Sequence, residues 1–149
     1  GKEIHMCMEG YCSAYIYWYL KRFYGFMGDT DKRSPTSEGE ITKNGYIMAH
    51  YAQYATETTR IKAVTNNEEV CATAYWDEKT GEVTIVLLNL NGASQWLEIP
   101  LAGIKKASAV ETNETKNMEV IDTGLMESAE GITVLLSANS ITSVRLTFK

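Results

Sequence analysis

The chain has 149 residues and a formal net charge of −5. An acidic balance argues against nucleic acid and against an anionic membrane surface as partners. At 44% hydrophobic and 22% charged content the composition is that of a folded soluble protein, and no apolar run reaches the length of a membrane span. The length provides for one ordinary domain, or a small domain with a fragment of another.

The first nine residues place Ile4, Cys7 and Met8 at helical spacing, with no Ser, Thr, Asp or Asn in front to cap them. The pattern is expected to begin inside a helix, and Gly1 is not an initiator residue, so a processed N-terminus is expected. Gly10 is a helix stop. The next segment, Tyr15-Ile16-Tyr17-Trp18-Tyr19-Leu20-Lys21-Arg22-Phe23-Tyr24-Gly25, predicts a strand over about 13–22 that is apolar on both faces. Such a strand must be covered on both sides, as in α/β folds. Its end gathers aromatic rings and one arginine. CH faces of sugars stack on aromatic rings, and a planar guanidinium grips a carboxylate at two points. A Tyr/Trp-rich strand also serves core packing, so both roles are open from the residues alone.

Residues 26–43 are polar and rich in Gly, Asp, Ser and Thr, which predicts a long loop. A second helix follows from about Thr42 or Asn44 to Ala55, with Ile47, Met48, Tyr51, Ala52 and Tyr54 as its apolar stripe. After Thr56 the texture changes. Strands are predicted over 59–65, 69–76, 82–90, 94–99, 107–112, 119–121, 131–136 and 141–148. Asp77 to Gly81 reads as a type I turn closed by a glycine bulge, and Asn91-Gly92 as a hairpin turn. Strands at this spacing without intervening helices predict an antiparallel sandwich or barrel.

Cys7, Cys12 and Cys71 are an odd number without C-x-x-C spacing, and His5 and His50 lie far apart. No metal site is expected, and the cysteines read as small apolar filler. His50 is expected to be a hydrogen-bonded interface residue. Asn113-Glu114-Thr115 fits a glycosylation acceptor.

Three pieces in this order, Gly1-Lys2-Glu3-Ile4-His5, Ala14 to Gly25 and Lys43-Asn44-Gly45-Tyr46-Ile47-Met48-Ala49-His50-Tyr51, resemble the C-terminal third of glycoside hydrolase family 30, nearest its bacterial glucuronoxylanases. The resemblance is strong through about residue 65 and continues by strand pattern. It implies that residues 1–56 are helix 7, strand 8 and helix 8 of a (β/α)8 barrel, and that residues 57–149 are a β-sandwich side domain. The fold class is then α+β by content, a helix–strand–helix remnant of a barrel followed by an antiparallel sandwich. The resemblance further implies a secreted or periplasmic enzyme that cleaves the β-1,4-xylan backbone with retention, using two glutamates. In the family those glutamates stand on barrel strands 4 and 7, before the matched region. Glu3, Glu9, Glu38 and Glu40 do not match them, so the chain carries no catalytic residue and is expected to be inactive alone.

The resemblance implies that Trp18, Tyr19 and Arg22 contribute to the substrate cleft, with Arg22 holding the carboxylate of a glucuronate side group. No cofactor is implied; the partners are glucuronoxylan and the N-terminal barrel portion. Two features depart from the family: Tyr17 and Lys21 replace residues that are usually tryptophan and arginine, and the loop from Phe26 to Ile41 is longer. A different reading is a non-catalytic carbohydrate-binding sandwich, for which Tyr75, Trp76 and Trp96 would have to form an exposed row. Another is a fragment whose role is to complete the barrel.

Overall fold

In the computed structural model, residues 1–122, 125–128 and 130–149 are described. Two helices, α1 (Lys2–Glu9) and α2 (Lys43–Tyr54), precede nine strands. Gly1 gives α1 no side-chain cap, and Gly10 ends it by returning its N–H to Met6 O. α2 starts at Thr42, whose Oγ1 accepts from the Gly45 N–H, satisfying one of the orphan donors of a helix start.

The strands are β1 (Thr59–Ile61), β2 (Val70–Trp76), β3 (Val83–Asn89), β4 (Gln95–Ile99), β5 (Ile104–Thr112), β6 (Glu119–Val120), β7 (Leu125–Glu127), β8 (Ile132–Leu136) and β9 (Ser140–Phe148). They form a six-stranded sheet in the order β1-β2-β3-β9-β5-β6 and a three-stranded sheet in the order β4-β8-β7. All the paired strands are antiparallel. The expected sandwich is therefore present. β7 is a strand that the sequence pattern does not show, because it has only three residues and too few positions for alternation to register.

The larger sheet is buried on both faces. Its inner face packs Ile85, Leu87, Val144 and Leu146 against Ile132, Val134 and Leu136 of β8. Its outer face packs Val86, Leu88 and Ile141 against Ile4 of α1 and Tyr51 of α2. That is why Val83 to Leu88 reads as an unbroken apolar run rather than an alternating one. The helices thus make a third layer.

A sheet covered on both faces must also satisfy its polar side chains internally. On the helix face, His50 is fully buried; its Nδ1 lies 2.7 Å from Ser143 Oγ and its Nε2 3.0 Å from Thr112 Oγ1. This is the interface histidine expected from sequence. On the sandwich face, Glu111 is also fully buried. It accepts from Ser137 Oγ at 2.6 Å, Ser137 N at 3.0 Å, Thr142 Oγ1 at 3.3 Å and Lys116 Nζ at 2.9 Å.

Two expectations are corrected. Asn91-Gly92 does not close a hairpin, since β3 and β4 belong to different sheets. Asn89 turns the chain instead: its Nδ2 donates to Ala93 O and Ser137 O, and its Oδ1 accepts from Asn91 N and Gln95 Nε2. The strand expected over 13–22 forms no ladder; only isolated bridges, Lys21 with Met27 and Met27 with Ile41, occur there. A strand needs neighbours to take up its N–H and C=O groups, and among the described residues none lies beside 13–20. The two-residue period survives only as far as Trp18, with Tyr15 and Tyr17 half-buried and Ile16 and Trp18 exposed, and it breaks where Tyr19 and Leu20 are both exposed. The turn at Asp77 to Gly81 is as expected: Gly81 has φ +74° and donates to Asp77 O, and Asp77 N donates to Glu82 O.

Removing the Glu111 carboxylate should leave the Ser137 amide and the Thr142 hydroxyl without their acceptor. Hydrogen bonds to a charged group are worth about 1.5–3 kcal/mol, so Glu111→Ala is expected to cost at least about 2 kcal/mol in urea unfolding, whereas Lys116→Ala, at the half-exposed end, should cost less. Equal costs would contradict the network.

Burial holds the His50 imidazole down at about 4 from its ordinary 6.5, despite the opposing pull of Glu111. The unfolded chain therefore takes up a proton at higher pH than the folded one. The stability due to neutral His50 is complete above pH 6.5 and is lost as pH falls toward 4. Between pH 7.5 and 4.5 the wild type should lose about 2 kcal/mol more than His50→Asn, by 1.36 kcal/mol per pKa unit. Parallel stability–pH curves for the two proteins would refute this.

Candidate functional site

The sequence places its candidate residues between α1 and α2, and the fold builds a shelf there. Tyr17 stacks on Phe26 with ring centroids 4.7 Å apart, and its hydroxyl donates to Tyr24 O at 2.9 Å. Asn44, in the first turn of α2, donates from Nδ2 to the same carbonyl at 3.1 Å. The Thr42 hydroxyl donates to Gly25 O at 2.6 Å, and its amide to Phe26 O. The start of α2 thus pins residues 17–26 from below.

Within this stretch, Met27 N donates to Leu20 O, Arg22 N to Met27 O, and Gly25 N to Arg22 O. The turn is so tight that a Cβ on Gly25 would lie 2.7 Å from Tyr19 O, 2.8 Å from Leu20 O and 2.9 Å from Arg22 N. Glycine is required there by space.

With Tyr17 facing the protein, Trp18 and Tyr19 face outward, 74% and 42% exposed. Their rings meet edge to face at 4.6 Å, across a cis peptide bond between the two residues. The Arg22 guanidinium carbon stands 5.6 Å from the Tyr19 ring centroid, within cation–π range. The three candidates are therefore adjacent and accessible. Among the described residues no carboxylate lies within ion-pair distance of Arg22. Two rings and a cation without a counter-ion can receive a ring-shaped ligand bearing a negative charge.

Sequence reasoning misses what the long loop does. Lys21 pairs with Glu38 of the loop at 2.6 Å. Arg33 lies over the Phe23 ring at 3.8 Å and binds Asp31 through both Nε and Nη2. Hydrogen bonds from Arg33 hold the Asp31 carboxyl well below its ordinary value. The loop closes at its base, where Gly28 N donates to Glu40 O and Gly39 N to Gly28 O. No sequence signal pairs Arg33 with Phe23, since a contact across a loop has no period.

Tyr75, Trp76 and Trp96 are not brought together. Tyr75 is buried against the helices, whereas Trp76 and Trp96 are exposed on different sheets. The row needed for a free-standing sugar-binding module is absent among the described residues.

No protein-family model matches the chain. A glucuronoxylanase of Bacillus subtilis is 31% identical over 148 residues, covering 96% of this chain and 32% of the relative. Among solved structures, a family 30 subfamily 8 xylanase of Clostridium acetobutylicum superposes with TM-score 0.82 at 22% identity, over 97% of this chain and 37% of that one. A family 30 endoxylanase of Clostridium papyrosolvens superposes with TM-score 0.80 at 24% identity, over 98% of this chain and 36% of that one. These two share the fold, and the chain spans about a third of the length of each protein it matches. Through homology along nearly its whole length, the chain belongs to glycoside hydrolase family 30 and corresponds to a C-terminal portion of such an enzyme.

Proposed function

We propose that this chain supplies one wall of the substrate cleft, and the side β-domain, of a secreted retaining endo-β-1,4-xylanase acting on glucuronoxylan. The observation that carries the reading is the exposed shelf of Trp18, Tyr19 and Arg22, held from below by the start of α2. The Bacillus subtilis relative is a glucuronoxylanase, and this supports glucuronoxylan as the ligand class of the shelf. Trp18 and Tyr19 take the sugar face, where CH groups meet the π-cloud. Arg22 takes the glucuronate carboxylate through two parallel N–H donors. The shelf binds and orients; it moves no proton. Retaining hydrolysis needs an acid/base and a nucleophile about 5–5.5 Å apart, and those carboxylates belong to the remaining barrel. The exposed side chains of Ile16 and Leu20 are where that barrel packs, pairing the backbone of 13–22 into its ladder.

The 149-residue chain by itself should show only background release of reducing sugar from glucuronoxylan, because neither protonation of the leaving group nor a glycosyl-enzyme intermediate is available to it. Turnover that survives repurification would overturn the assignment.

In the complete enzyme, Arg22→Ala should lower kcat/KM on glucuronate-decorated xylan by about ten- to a hundredfold, the equivalent of a charge-assisted contact of about 1.5–3 kcal/mol. Undecorated xylo-oligomers should be affected little. Equal losses on both substrates would make Arg22 a structural residue.

A further inference from the structure

A second concavity is lined in part by Ser13, Ala14 and Tyr15, at the start of the 13–22 segment, and by none of Trp18, Tyr19 and Arg22. It is a cavity of about 540 Å³ between the two helices, the turn after α1 and the first strands of the larger sheet. Its apolar walls come from Ile4, Met8 and Met48, and its polar lining includes Tyr51, Tyr75 and Arg60.

The polar groups are unusual in having nothing to bind. Tyr51 and Tyr75 are each 3% exposed. Their hydroxyls, and that of neighbouring Thr73, are buried and complete no hydrogen bond; so are Nε and Nη1 of Arg60. Thr73 lies near enough to both tyrosine hydroxyls to influence them, yet none of the three has a partner at hydrogen-bond geometry. Burial raises the ionisation of Tyr51 and Tyr75 far above neutrality, so both remain O–H donors. Orphaned buried donors cost about 1–3 kcal/mol each, and a native site that gathers several is built to receive acceptors.

Charge narrows the acceptor. Arg60 is the one cation in the described lining, and the Tyr11 ring covers it at 5.7 Å. Glu57, also at the rim, is turned to Lys79 at 2.9 Å. Glu9 faces His5 at 3.6 Å rather than Arg60. One uncompensated guanidinium suits a monoanion, and the apolar walls suit a hydrophobic body behind it.

We propose that this cavity binds a carboxylate carried on an apolar body, with Arg60 gripping the carboxylate and the Tyr51 and Tyr75 hydroxyls donating to its oxygens. The carboxylate comes either from a free small organic acid or from an Asp or Glu side chain elsewhere in a longer enzyme.

The test is calorimetric titration of the folded 149-residue chain with sodium benzoate, with benzamide as neutral isostere and inorganic phosphate as an anion lacking the apolar body. Saturable one-to-one binding of benzoate is expected, at least tenfold tighter than benzamide or phosphate. Arg60→Gln should weaken benzoate at least tenfold. Tyr75→Phe, which preserves shape and hence folding, should weaken it severalfold without changing benzamide. No saturable binding, equal affinity for benzoate and benzamide, or indifference to both substitutions would overturn the proposal, and would leave the orphaned donors to water. Repeating the titration on the complete enzyme separates the sources, each outcome supporting carboxylate recognition. Retained binding identifies a free acid, and loss of binding that Arg60→Gln does not deepen identifies a side chain of the enzyme itself.

Discussion

The structure depends on making polar side chains tolerable in a sheet buried on both faces. β5 and β9 lie side by side near the middle of the larger sheet, and each carries hydroxyl or carboxylate groups where water has no access. His50 reaches in from α2 to serve Thr112 and Ser143 on one face. Glu111 gathers Ser137, Thr142 and Lys116 on the other. Burial alone would push the Glu111 carboxyl up, but the Ser137 and Lys116 contacts prevail and hold it below its ordinary value. A charge so placed is neutralised by geometry that only one register of β5 against β9 provides, so the network specifies pairing as much as it stabilises it.

The same arrangement fixes the helix layer, and through it the rim. His50 sits two turns along from Thr42, the residue that caps α2 and grips Gly25. Lys43 adds a link to the sandwich by donating to Lys116 O, and Lys116 is itself a partner of Glu111. A chain of contacts therefore runs from the centre of the sandwich to the backbone beneath Trp18 and Tyr19. The shelf residues owe their placement in part to strands far from them in sequence.

How much of this was legible in the sequence follows from the range of each interaction. Both helices and most strands announce themselves through local periods, caps and turns, as Thr42 and the Asp77 to Gly81 turn illustrate. Trp18, Tyr19 and Arg22 stand out in the sequence because they cluster within five residues. Three things were hidden. Residues 13–22 find no neighbouring strand to form a ladder with among the described residues, so a strand-like sequence takes no strand pairing. Asn91-Gly92 carries a hairpin signal, yet the polar side chain of Asn89 redirects the chain into the other sheet. The cavity around Arg60 joins residues from α1, α2, β1 and β2, and no spacing in the sequence relates them.

The loop between Phe26 and Ile41 joins the rest of the protein through a narrow neck, since Met27 faces Ile41 and Gly28 is hydrogen-bonded to Glu40 and Gly39. A Cβ on Gly28 would meet Ser37 O at 2.4 Å, so the neck is closed to side chains as well. Everything beyond that neck is an annex whose length can drift by insertion or deletion while its base stays shut. Changes within that annex would alter what stands beside Trp18, Tyr19 and Arg22, to which Glu38 is linked through Lys21, without moving the backbone that carries them.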